Sequence, residues 1–176
     1  MWICPGDMNL AGADLDLAEQ DNREYKLKKA LESVKEKYDF IFIDCPPTIS
    51  VYTDAALIAS DFYLVPIRID RYSILGIKLL KQVIDRLDDN EGIGIKPLGI
   101  VYTMVKELSQ KTVQLKTTFE STEIVQEIGM FENMTLQVND LLVGLQGNIA
   151  SKYKKSREDI DAICKEFLER IEKYEV

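Results

Sequence analysis

No histidine occurs anywhere in the 176 residues. That absence excludes a Ser-His-Asp triad and every metal site built on imidazole ligands. Cysteine is scarce too. Cys4, Cys45 and Cys164 are odd in number and lack the paired spacing of a zinc site or a disulfide frame, so they are expected as buried thiols in a reducing cytosol. No apolar run is long enough to span a bilayer, and no charged stretch followed by a hydrophobic one marks a signal peptide. None of the nine glycines is followed by lysine, which excludes any phosphate loop ending in Gly-Lys. Positive charge is in deficit: 22 Lys and Arg against 30 Asp and Glu leave −8, which argues against a broad nucleic-acid-binding surface.

What remains is the make-up of a soluble globular chain, 46% hydrophobic and 30% charged. The length fits a single α/β domain over 1–176 with a real core. Its organising stretch is YDFIFIDCPP at 38–47. Four apolar residues, 40–43, bounded by turn signals, read as a strand buried on both faces of a parallel sheet. Asp44 then stands at the carboxyl end of that strand, where open α/β sheets bind ligands. Pro46 and Pro47 lack amide donors and end the strand. An acid so placed has the geometry of a Walker B carboxylate that holds the Mg²⁺ of a nucleotide. The alternative is an acid that only caps the following turn.

The rest of the chain alternates in the same manner. Trp2-Ile3-Cys4 before Pro5-Gly6 reads as a short strand. Asp21 or Asn22 is expected to cap a helix running to about Lys37, with Leu27, Ala30, Leu31, Val34 and Tyr38 as its buried stripe. This β-α-β unit makes strands 2–4 and 40–43 parallel. A short helix at 52–59, a strand at 62–67 and a long helix at 72–88 follow; Ile74, Ile77, Leu80, Ile84 and Leu87 face inward on the long helix. Residues 90–94 form a turn. Its Gly92-x-Gly94 precedes a strand and meets Pro97 where a third glycine would stand, so it carries no weight as a nucleotide loop. A strand at 98–102 leads to Thr103, a polar helix at 109–120 and a short segment at 124–128. In the last helix Ser156-x-x-Asp159 reads as a capping box, with Ile160, Ile163, Cys164, Phe167, Leu168, Ile171 and Tyr174 as the apolar face. Just before it, Lys152, Lys154, Lys155 and Arg157 surround Tyr153. They read either as a small DNA patch or as a solvated connection.

These motifs together resemble the ParA/MinD partition ATPases. That family has a strand YDxIxIDCPP, then a helix LTxNAL, matched here by 51–57 with Asp54 where Asn is common. Its next strand runs into a Pro and a Gly-containing helix, here Pro66 and Gly76. Thr103-Met104 is similar to the end of its GvxxTM strand. Asn133 and Leu136 match its IPRNxxL loop, while Phe131 stands in place of the Pro and Glu132 in place of the Arg.

The resemblance implies an α/β fold, a mostly parallel sheet flanked by helices, as a partial P-loop NTPase fold. It implies ATP and Mg²⁺ as cofactors of the complete protein, with Asp44 holding Mg²⁺ through water and Thr103 and Asn133 by the base. It further implies plasmid or chromosome partitioning by ATP-dependent dimerisation in the cytoplasm, with a ParB-like adaptor and non-specific DNA as partners and no membrane. The family's KGGxGK(S/T) loop is absent, so the chain is expected to correspond to the C-terminal part of such an ATPase. Alone it should be inactive, bind ATP poorly and self-associate. Two alternatives stand: a catalytically inactive scaffold of the same fold, and a different enzyme whose phosphate loop lies on a separate chain.

Overall fold

A computed structural model describes residues 22–46, 48–70, 72–106, 109–144 and 149–175. The chain divides into two units, the first running to Ser60 and taking in Leu87–Ile93, the second made of Asp61–Arg86 and Gly94–Val176.

In the first unit a 3₁₀ turn, Arg23–Tyr25, feeds helix α1, Lys26–Glu32, and a second 3₁₀ turn, Lys35–Lys37, follows. The single helix expected to Lys37 is thus broken after Glu32. Asn22 enters in the left-handed region (φ 56°) and its side chain makes no cap bond. Leu27, Leu31 and Val34 are half-buried, whereas Ala30 and Tyr38 are exposed. Helix α2, Val51–Ile58, packs on α1 and the first turn, burying Ala55, Ala56, Leu57 and Ile58. The Thr53 hydroxyl donates to the Thr48 carbonyl at 2.6 Å, which fixes the entry to α2.

The expected strand at 40–43 does not form among the described residues. The backbone there is in no ladder; Phe42 is 75% exposed, Phe40 44% and Ile41 40%. A strand exists only through its partners. The hydrophobic run alone cannot supply them. The strand expected at 2–4 lies outside the described residues.

The second unit carries the sheet. Strand β1, Phe62–Ile67, pairs in parallel with β2, Lys96–Tyr102. Helix α3, Ser73–Glu91, lies between them in the chain. This is the crossover that a parallel pair requires. The Asp70 carboxylate accepts from the amides of Tyr72 and Ser73 at 2.8 and 2.9 Å, starting α3. Of the stripe read from the sequence, Ile77, Ile84 and Leu87 of α3 are buried and Ile74 and Leu80 half-buried, while Val83, outside that stripe, is buried as well.

Leu98 to Tyr102 are buried on both faces of β2, as a continuous apolar run in a parallel sheet should be. Pairing skips one residue at Leu98, because Tyr63 faces Pro97 while Leu64 faces Gly99. Pro97 can donate no bond, and Gly99 takes φ 136° to absorb the irregularity. A Cβ there would stand 2.8 Å from Arg170 Nη1 and 3.0 Å from the Phe131 ring. Gly99→Ala is therefore expected to destabilise the chain by about 2 kcal/mol, read as a fall in the urea midpoint. A midpoint unchanged from wild type would mean that β2 tolerates the side chain.

Helices α4, Gln110–Glu120, and α5, Glu123–Ile128, follow β2. The core joins Ile77, Ile100, Tyr102, Val105, Phe119, Val125 and Ile128. Ile77, Ile100 and Val125 are at most 1% exposed, each contributing about 2 kcal/mol of burial. The chain then runs beside β2 as a third, irregular strand through 130–137, with parallel bridges Ile100–Met130 and Val105–Leu136. A short helix α6, Asn139–Leu142, and a 3₁₀ turn, Ala150–Lys152, lead to the long helix α7, Lys154–Glu175.

Helix α7 corrects two expectations. It begins at Lys154, so Ser156 lies inside its first turn, 3% exposed, and is not a cap. Its apolar face is narrower than the sequence stripe: Cys164, Leu168 and Tyr174 are exposed. The cysteines expected to be buried are not, since Cys45 is also exposed; Cys4 lies outside the described residues.

Candidate functional site

Parallel strands bring their carboxyl ends to one edge, and a cavity lies at that edge in the second unit. It measures about 350 Å³. The walls are mostly apolar, with Thr103 and Met104 from the end of β2, Thr135 and Leu136 from the third strand, and Ser156 and Ile160 from α7. This volume suits a planar heteroaromatic ring, held by a few polar groups among apolar walls.

Thr103 is tied at the rim. Its amide donates to the Ile67 carbonyl at 2.7 Å and its hydroxyl to the same oxygen at 3.1 Å. Met104 takes φ 53°, and its amide donates to Thr135 Oγ1 at 3.1 Å. A non-glycine residue in the left-handed region at the end of a buried strand is strain held by its surroundings.

Asn133 lies in the same segment but does not line the cavity. Its amide and its side-chain Nδ2 both donate to Glu166 Oε2, at 3.0 and 2.9 Å. The Glu132 amide donates to Glu166 Oε1 at 2.9 Å. Arg170 completes this cluster on α7. It pairs with Glu166 at 2.8 Å, stacks on Phe131 at 4.2 Å, and donates to the carbonyls of Leu98, at 2.8 Å, and Met130. Of the two departures from the loop pattern, Phe131 thus contributes its ring to the anchor of this segment and Glu132 its main-chain amide.

Burial works to raise the pKa of Glu166, but the amides of Glu132 and Asn133, the Asn133 side chain and Arg170 outweigh it and hold the pKa below the usual value. A depressed carboxylate pKa contributes stability above the unfolded pKa that is lost as pH falls through the folded one. Urea midpoints should accordingly fall as pH drops below the ordinary glutamate range. The slope should be shallower in Glu166→Gln than in wild type. Identical slopes would show that Glu166 adds nothing to the acid sensitivity.

Asp44 belongs to the first unit and is exposed, in a stretch with no assigned helix or strand. Thr103 and Asn133 belong to the second. No cluster of three or more His, Cys, Asp or Glu suited to a metal occurs among the described residues. Lys152, Lys154, Lys155 and Arg157 are all exposed around the buried Tyr153, and Arg157 Nε donates to the Ser151 carbonyl at 2.7 Å. No described helix is long and apolar enough to cross a membrane.

The Glu166–Arg170 anchor was missed in the sequence. The signal available was a Glu and an Arg interrupting the apolar stripe of α7.

Comparison with known proteins bears on this geometry. The model of a family described as an AAA domain matches residues 1–96. The chromosome-partitioning ATPase Soj of Treponema pallidum is 31% identical over 131 residues, 73% of this chain and 52% of the relative. The chromosome partitioning protein ParA of Myxococcus xanthus is 37% identical over 104 residues, 59% of this chain and 37% of the relative. The chain thus spans about half the length, or less, of the curated relatives it matches. Among solved structures, cobyrinic acid a,c-diamide synthase of Mycobacterium smegmatis, in a crystal with bound ADP and magnesium, superposes with a TM-score of 0.67. It is 24% identical, and the match covers 77% of this chain and 54% of that one. At that identity the likeness concerns the fold.

Proposed function

The chain belongs to the ParA/MinD-type partition ATPases, and on that premise we propose that it supplies the base-binding and metal-acid side of a nucleotide site acting in DNA partitioning. The observation that carries this reading is the cavity at the carboxyl ends of parallel β1 and β2, with Thr103 at its rim. In this reading 1–176 forms one α/β domain of a cytoplasmic protein. Thr103, and Asn133 in the adjoining strand, border the base. Asp44 holds Mg²⁺ through water. ATP and Mg²⁺ supply phosphoryl transfer when bound with a phosphate loop carried outside these residues. The polypeptide then dimerises on ATP, with a ParB-like adaptor and non-specific DNA as partners. The M. smegmatis protein crystallised with ADP and magnesium supports the cofactor choice. Sizing the loop-bearing polypeptide by light scattering with and without Mg-ATP tests it. A doubled mass only with Mg-ATP is expected. An unchanged mass would overturn ATP-dependent dimerisation.

A second reading, a catalytically silent scaffold of the same fold, draws on one observation. The Asn133 side chain donates to Glu166. Measurable ATP turnover by the loop-bearing polypeptide would dismiss it.

DNA contact in this reading falls to Lys152, Lys154, Lys155 and Arg157, because the chain as a whole carries −8. Neutralising all four in the DNA-binding polypeptide should reduce the slope of log affinity against log salt by about three to four, if each side chain neutralises one phosphate. An unchanged slope would remove the patch.

A further inference from the structure

The spacing Ser156-x-x-Asp159 makes Asp159 a capping acid by sequence, yet α7 starts five residues before it. Its carboxylate does something else: Oδ2 accepts the Leu136 amide at 2.8 Å. Leu136 lines the cavity, and so do Ser156 and Ile160, which flank Asp159 on α7.

The third strand has one side paired and one side open. Toward β2, Phe131 donates to Ile100, Thr135 to Tyr102 and Gln137 to Val105. On the other side the amides of Glu132, Asn133 and Leu136 go to carboxylates of α7: Glu166 takes the first two and Asp159 takes the last. The spacing fits. Seven helical residues rise about 10.5 Å, and the three extended residues from Asn133 to Leu136 span about 10 Å. Two acids two turns apart on one helix thus serve where a neighbouring strand would otherwise serve.

We propose that Asp159 is a positioning residue for the cavity at the end of β2. Through the Leu136 amide it fixes the wall formed by Thr135, Leu136 and Gln137 against α7, and so sets the width of the opening. That the occupant is a nucleotide base rests on the reading above. The holding of the wall does not. Glu166 anchors the upstream end of the same wall.

The test uses the chain itself with adenosine as the probe, which needs no phosphate loop. Asp159→Ala removes the acceptor, whereas Asp159→Asn keeps a carbonyl oxygen in its place. In D159A, amide exchange at Leu136 should speed up about tenfold and the adenosine dissociation constant, from the amide shifts of Thr103 and Leu136, should rise about tenfold; D159N should stay within about threefold of wild type. Wild-type exchange at Leu136 in D159A would overturn the proposal. So would faster exchange throughout Phe62–Ile67 and Lys96–Tyr102 in D159A, because Asp159 would then be a determinant of the whole fold. A wild-type chain with no adenosine shifts, but with faster Leu136 exchange in D159A alone, would keep the positioning role and remove the nucleotide reading.

Discussion

Asp44→Asn, made in the polypeptide that joins this chain to a phosphate loop, is expected to lower ATP turnover about 100-fold or more, about 2.7 kcal/mol of transition-state stabilisation. Under the proposed function Asp44, at the end of the YDFIFID run, is the acid that holds the metal. Such an acid orients the water shell of Mg²⁺, and the ion neutralises the charge that develops between the β- and γ-phosphates. Asparagine preserves size and one oxygen acceptor but removes the negative charge. The loss should therefore fall mainly on kcat, with adenosine binding to the second-unit cavity unchanged. Steady-state turnover under saturating Mg-ATP checks it. Full activity in D44N would reduce Asp44 to an acid that caps the following turn, the alternative read from the sequence.

The parallel pair was legible in the sequence because its signals were local. The run Leu98 to Tyr102 is buried on both faces, and the stripe of α3 buries Ile77, Ile84 and Leu87 as its spacing requires. The identical reasoning failed at 40–43. Hydrophobicity says that a segment favours burial, not which backbone it will pair with; no ladder forms at 40–43 among the described residues, and Phe42 is 75% exposed. The helix expected through Lys37 failed for a related reason. Its apolar positions are half-buried or exposed, and burial, not propensity, sustains most short helices. At the site, Thr103 could be placed from the end of its strand. What the sequence could not reveal is which distant backbone groups Asp159, Glu166 and Arg170 would reach. Arg170 contacts a carbonyl 72 residues away. A capping-box spacing concealed the real partner of Asp159, because the helix begins at Lys154, earlier than the motif implied.

The chain by itself is expected not to bind Mg-ATP with useful affinity. In this fold class most of that affinity comes from loop amides and a lysine around the phosphates, with Mg²⁺ clamped between loop and acid. No Gly-Lys pair exists here to form the loop. An acid without it repels a polyphosphate carrying up to about four negative charges. The cavity offers a ring-sized space and a few polar contacts, which supports millimolar binding of a base at about −4 kcal/mol and little more. Phe40, Ile41 and Phe42 are exposed, and an exposed run of large apolar side chains invites association between chains, by contacts independent of nucleotide. One experiment addresses the division of the nucleotide site directly: calorimetric titration of this chain with Mg-ATP, run beside light scattering. The expected result is no saturable micromolar binding and a mass above the monomer that Mg-ATP does not change. Saturable micromolar binding of Mg-ATP by a clean monomer would contradict the account.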